Sequence, residues 1–175
     1  FSDVSDEAGI YLWQGYGQAA RSTSPADYDN DGDMDLLVNN YRLHRNIFWR
    51  NNGDGTLSDV GAATTLAGEQ ATNGAYGHAI SSAWGDYDHD RWPDLYISNY
   101  RGENRLYHNN RDGTFTDVAE QAGVAAPFWS FPTWFWDYNN DGKLDLYVGS
   151  YHVGVGHVAC SLYQSDAADA KPVVS

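Results

Sequence analysis

A single cysteine, Cys160, excludes an internal disulfide and leaves the redox compartment undefined; it is expected to be a small buried side chain. No apolar run approaches the length of a membrane span, so membrane insertion is not expected. Neither a signal peptide nor an initiator Met is present, and the chain is expected to be a processed or trimmed piece. Basic residues are scarce: 10 Lys+Arg stand against 24 Asp+Glu, for a net charge of −14. That balance argues against nucleic acid and against anionic membrane surfaces. There is no Asn-x-Ser/Thr sequon, no Gly-x-Ser-x-Gly elbow, no phosphate-binding loop and no dinucleotide fingerprint. His44, His78, His89, His108, His152 and His157 form no metal-ligand motif, although His152 and His157 lie five apart. Lys, Glu and Leu are scarce and Trp and Tyr abundant, a bias that suits strands and is poor for helices.

What is present is a nine-residue acidic loop written three times: Asp27 to Asp35, Asp86 to Asp94 and Asp137 to Asp145. Loop 1 places Asp27, Asp29, Asp31 and Asp35 at positions 1, 3, 5 and 9; loop 2 places Asp86, Asp88, Asp90 and Asp94 there. Loop 3 has Asp137, Asn139, Asp141 and Asp145. Alternation turns these oxygens toward one point, where like charges repel unless a hard cation lies between them. Oxygen-only ligands select calcium, which takes six to eight of them. Position 7 is expected to add a backbone carbonyl, from Asp33, Trp92 or Lys143. Three structural Ca²⁺ sites are therefore expected, with loop 3 the weakest because it has one carboxylate fewer. Gly32 and Gly142 fill position 6, where the chain turns sharply, while loop 2 has Arg91. An EF-hand needs a bidentate Glu at position 12 and flanking helices. Position 12 is Val38, Ile97 or Val148, inside apolar β-rich runs, and the EF-hand is rejected.

The loops begin at 27, 86 and 137, and each opens the same series of elements. An apolar strand follows the loop (36–41, 95–100, 146–151), then a second strand (46–52, 104–110, 158–164). An Asp-Gly hairpin leads to a third strand (56–60, 114–118), and a segment entering the next loop reads as a fourth. Units of four strands and about 50 residues with loops on one edge predict β-propeller-type blades, all-β and antiparallel. The organisation expected is 1–10 as an orphan outer strand, 11–60 as repeat 1 and 61–77 as an irregular surface linker. Repeat 2 spans 78–124, an incomplete repeat 3 spans 125–164, and 165–175 is a flexible tail. Residues 1–10 match 115–124, so the chain opens on the outer strand of a blade whose other strands are absent. Three blades are too few to close a propeller. Either the chain is a fragment of a longer array, or its orphan strand completes a blade of a neighbouring copy.

The Asp-x-Asp-x-Asp-Gly-x-x-Asp loop, the Leu-Tyr-Val strand and the Asn-Asn-x-Asp-Gly-Thr-Phe-x-Asp-Val hairpin resemble FG-GAP/VCBS repeats, the blades of integrin-alpha-type propellers. The resemblance covers residues 1–164. It implies structural calcium, an extracellular or cell-surface setting, and a binding or scaffold role rather than catalysis. The FG and GAP signatures themselves are poorly spelled, so VCBS-like blades fit better than integrin. Trp84, Phe135, Trp136, Tyr28, Tyr87 and Tyr138 recur at fixed phase and are expected to pack between blades. Trp13, Trp92, Phe128 and Trp129 fall off phase and suit sugar stacking or a subunit contact. Two functions follow: a self-assembling structural or adhesive protein forming a ring or fibre, or a ligand-binding propeller piece recognising carbohydrate or an extracellular protein.

Overall fold

The computed structural model describes residues 1–10, 19–69, 76–151, 158–164 and 173–174. His152, His157, Trp13 and the Cys160 side chain lie outside the described set. Among the described residues there is no helix, and the strands form three four-stranded antiparallel sheets. The first contains β1 (Ala19–Ala26), β2 (Asp35–Tyr41), β3 (Ile47–Asn51) and β4 (Leu57–Asp59), in that order. The second contains β5 (Ala79–Gly85), β6 (Asp94–Asn99), β7 (Arg105–Asn109) and β8 (Phe115–Asp117). The third runs from β9 (Ser130–Trp136) through β10 (Asp145–Tyr151) and β11 (Val158–Tyr163) to β12 (Val173–Val174). We call the three sheets blades 1 to 3.

Each blade is built by the same local chemistry. In the hairpins, Gly53 and Gly55 take φ of 74° and 88°, and Arg111 and Gly113 take 64° and 84°, the left-handed backbone a tight turn demands. Asp54 and Asp112 accept from the backbone N–H of Thr56 and Thr114 at 2.9 and 3.0 Å. At the other end of the blade, Asn46 Oδ1 accepts from Asn40 N at 3.0 Å and Asn104 Oδ1 from Asn99 N at 2.9 Å. These buried amides replace ladder bonds where the strand pair opens, so the turn costs no unsatisfied backbone.

Blades meet face to face, and alternation within the strands decides which side chains do so. Leu37 and Phe48 of blade 1 pack on Leu95, Ile97, Tyr107 and Phe115 of blade 2. Tyr96 and Leu106 of blade 2 pack in turn on Leu146, Val148 and Tyr163 of blade 3. The forward face of one blade thus meets the backward face of the next. Gly85 is needed at the second junction, because a Cβ there would lie 2.8 Å from Phe135 Cδ2.

Three stretches differ from the sequence expectation. Residues 1–10 contain no strand; residues 5–9 form a turn, with Ala8 N donating to Val4 O at 2.9 Å and Leu57 N donating to Ala8 O at 2.8 Å. The described part of the 61–77 linker lies only partly at the surface: Ala62, Ala63, Thr65 and Glu69 are exposed, but Thr64, Leu66 and Ala67 are buried, and Leu66 belongs to the core between blades 1 and 2. Leu66, the one aliphatic side chain larger than alanine in this stretch, fills the gap between two blades. Finally, Val173 and Val174, expected in a flexible tail, pair with Leu162 and Ser161 as an outer strand of blade 3.

Candidate metal centres

All three acidic loops fold alike. The backbone N–H at position 5 donates to the first carboxylate: Asp31 to Asp27 at 3.0 Å, Asp90 to Asp86 at 2.9 Å and Asp141 to Asp137 at 3.0 Å. The N–H at position 6 donates to the other oxygen of the same group, from Gly32, Arg91 and Gly142. Arg91 reaches this geometry at φ 74°, so its loop turns as the glycine loops do at a steric cost of its own. At position 7, the N–H groups of Asp33, Trp92 and Lys143 donate to position 5 at 2.9, 2.8 and 2.8 Å. The ninth carboxylate is buried in every loop and accepts from Tyr28, Tyr87 or Tyr138 N. Asn51 and Asn109 N–H donate to Asp35 and Asp94 at 2.9 Å, anchoring those groups from the neighbouring strand.

The carboxylates converge as the spacing requires. Ligand oxygens of Asp27, Asp29 and Asp35 lie within 4.8 Å of one another, as do those of Asp86, Asp88 and Asp94. Asp33, expected to offer its backbone carbonyl, turns its side chain toward the hairpin, where a Cβ at Gly53 would lie 2.8 Å from its Oδ2. In loop 3 no such carboxylate triple forms among the described residues, because Asn139 takes a carboxylate's place and its Nδ2 donates to Asp141 Oδ2 at 2.7 Å. A cation fits these sites on the structure's own terms. Asp29 Oδ1 and Asp145 Oδ1 are buried oxygens with no hydrogen-bond partner, a costly state unless a positive charge faces them. Burial pushes the Asp35 carboxyl up to about 6 and raises that of Asp94, so enclosing these anions without a counter-charge is unfavourable. Asp29 is raised for the same reason, with Asp31 adding repulsion.

The structure also brings in residues that the loops alone do not reveal. Arg50, on β3, places Nε 3.2 Å from Asp29 and Nη2 3.4 Å from Asp31. Arg111 grips Asp90 Oδ2 at 2.5 and 2.9 Å, and His108 on β7 faces Asp88 and Asp94. Arg50 and His108 share one register position, immediately before the Asn-Asn of the hairpin, and that spacing is the signal in the sequence that marks them. Arg50 brings a positive charge to the point where a cation would sit. Replacing it with Gln is therefore expected to tighten calcium binding at loop 1 by about tenfold, an order-of-magnitude value for one charge at this range in a partly screened site. Calcium titration calorimetry of Arg50→Gln checks this, and an unchanged loop 1 affinity refutes it.

Away from the loops, a cleft of about 350 Å³ opens between blades 1 and 2, at the far ends of β2 and β6. Tyr76, His78, Asn99, Arg101 and Tyr107 line it, and the Arg101 guanidinium lies over the rings of Tyr100 and Trp129 at 5.5 and 5.2 Å.

Repeated four-stranded blades, each with an acidic nonapeptide loop joining its first two strands, define a class of β-propeller-type repeat proteins. The FG-GAP-like repeat family matches residues 27–97 and 86–148, and the chain belongs to that family. It is similar to human cartilage acidic protein 1, 40% identical over 60 residues, a stretch that is 34% of this chain and 9% of that protein. The mouse protein of the same name is 38% identical and the Xenopus tropicalis one 35%, each over 60 residues and the same shares. The matched stretch thus spans less than a tenth of these relatives. No helix among the described residues is long and apolar enough to cross a membrane.

Proposed function

We propose that the chain is a calcium-stabilised structural or adhesive repeat unit of the extracellular space. Three Ca²⁺ ions pin its loops, and it joins further copies head to tail. The observation that carries the assembly is a pair of open blade faces. Trp134, Trp136 and Tyr138 of blade 3 are 43%, 38% and 42% exposed, with Trp134 stacked on Tyr147 at 4.1 Å. The equivalents of Tyr138 and Tyr147 in blade 1, Tyr28 and Leu37, are buried against blade 2. At the opposite end, Leu36, Val38, Trp49 and Leu57 of blade 1 are half-buried, where Leu95, Ile97, Tyr107 and Phe115 are closed over. Each face is one half of a junction the chain already makes twice, and a second copy supplies the other half.

The N-terminal segment supports the same reading. Asp3 Oδ1 accepts from Ser5 N at 3.0 Å, as Asp59 does from Gly61 N and Asp117 from Ala119 N. Residues 3–10 therefore fold as the exit turn of an outer strand. Phe1 is fully exposed and Val4 is 52% exposed, whereas Phe115, the counterpart of Phe1, is buried. Phe1–Val4 is suited to take the outer position of blade 3 in another copy, in place of the two-residue β12. An extracellular setting suits the calcium reading, since extracellular modules fill at about 10⁻⁴–10⁻³ M calcium. The similarity to proteins named for cartilage agrees with it. Sedimentation with and without chelator tests the assembly, and a monodisperse 19.4 kDa species in calcium would sink it.

The cleft favours a second reading, in which the chain is a ligand-binding piece of a larger propeller. Aromatic walls beside Arg101 suit a saccharide carrying an acidic group. A glycan array probed in millimolar calcium with no acidic sugar retained would refute this.

A further inference from the structure

Loop 2 differs from its two sisters by a nitrogen. His108 occupies the register position that Arg50 holds on β3, which Gln164 holds just beyond β11. Its Nδ1 lies 3.3 Å from Asp88 Oδ2 and 3.3 Å from Asp94 Oδ1. The atom is buried, yet neither contact has the geometry of a hydrogen bond. Asp94 is fully enclosed, and its oxygens are already positioned by Tyr87 N and Asn109 N. The Tyr87 ring meets the imidazole edge-on, with ring centroids 6.3 Å apart. Asp90 belongs to the same cluster: ligand atoms of Asp88, Asp90 and His108 lie within 4.8 Å of one another, with Arg111 bonded to Asp90 Oδ2.

We propose that loop 2 is a mixed nitrogen–oxygen site that takes a borderline divalent ion of the zinc class through His108 Nδ1 and Asp88, with Asp90 and Asp94 as the adjoining carboxylates. Loops 1 and 3 take only hard ions. The inference rests on reading the loops as metal sites, and adds that one of them has a different preference. Imidazole with carboxylates suits zinc and its first-row neighbours, whereas calcium gains little from nitrogen. The spacing agrees: tetrahedral ligands about 2.1 Å from zinc lie about 3.4 Å apart, close to the two 3.3 Å separations here. Arg50 cannot ligate and Gln164 offers no imidazole, so the same register position leaves the other two loops to oxygen alone.

Equilibrium dialysis of the full chain with Zn²⁺ in saturating Ca²⁺, with Co²⁺ as a spectroscopic probe, tests the proposal. One zinc is expected to bind per chain and to displace one calcium, and Co²⁺ is expected to develop visible d–d absorption. His108→Gln should weaken zinc and cobalt binding by at least ~10-fold, with calcium affinity at loops 1 and 3 unchanged. Arg50→His, which places an imidazole at loop 1, should create a second zinc site and keeps the test independent of how well His108→Gln folds. Zinc binding unaltered by His108→Gln, or no added site in Arg50→His, overturns the proposal. A chain that binds three calcium ions without His108-dependent zinc loses this proposal and keeps the calcium reading. His108-dependent zinc in a chain that binds no calcium does the reverse.

Discussion

Removing calcium at pH 7 is expected to cost the protein about 2.7 kcal/mol for each site that had been held at a calcium concentration 100-fold above its Kd. For a chain of this size that corresponds to a fall in Tm of about 5–10 °C per site, and three sites add if they act independently. The pH dependence without metal should run opposite to that of most proteins. Burial raises Asp35 from 3.8 to about 6 in the folded chain, and Asp94 moves the same way. Between pH 4 and 6 the folded state therefore holds protons that the unfolded state has released. Stability is full below the unfolded value of 3.8 and declines as pH rises through 6, by about 3 kcal/mol for the Asp35 shift alone. Asp31, Asp54 and Asp112 shift downward, but they lie exposed at the surface and screening leaves them little weight. Calcium reverses the trend, because it binds the ionised carboxylates and its contribution grows with pH. Denaturation curves at pH 4.5 and pH 7, with calcium and with chelator, decide the matter. If the chelated protein is as stable at pH 7 as at pH 4.5, and calcium adds nothing at pH 7, the loops are ordinary turns.

Much of this fold was legible because its repeat is written in short-range chemistry. The loop spacing, the Asp-Gly hairpins and the alternating strands each act within about ten residues, and the strand limits they imply fall within a residue or two of those seen for β2 to β8. What the sequence hid acts between blades. Leu66 sits in a Gly/Ala/Thr-rich stretch without periodicity, and only the gap between blades 1 and 2 explains its burial. Trp136 and Tyr138 share the phase of buried residues, but are exposed because, among the described residues, no further blade packs on the forward face of blade 3. The net charge around each candidate metal loop is hidden from the sequence for a similar reason. Counting ligand charge makes loop 3 the weakest, yet Arg50 and Arg111 reach loops 1 and 2 from other strands and cancel part of their charge. Register across the sheet, rather than spacing along the chain, sets that balance.

Trp136→Glu, combined with Trp134→Glu, is expected to convert a calcium-dependent assembly into single chains. Trp134 and Trp136 keep 43% and 38% of their surface exposed. Of the roughly 150–250 Å² an aromatic side chain can bury, about 60–100 Å² each thus remains for an interface, or about 3–5 kcal/mol for the pair at about 25 cal/mol per Å² before the costs of ordering. Charging both positions should weaken association by a factor of about 1,000 or more. The blades themselves should remain folded, because both side chains lie outside the cores between blades 1 and 2 and between blades 2 and 3. Val38→Lys, on the opposite open face, should have the same effect by itself. A mixture of the two variants should form dimers and stop there, since each retains one competent face. That last outcome separates head-to-tail joining from a symmetric contact, in which the same patch would meet itself and a damaged chain could pair with nothing. Removing residues 1–10 gives a further division. If Phe1–Val4 completes the neighbouring blade, the polymer is lost while the calcium-dependent melting of the three blades persists. Retention of the polymer after that deletion would leave the faces as the joint and remove the strand exchange from it.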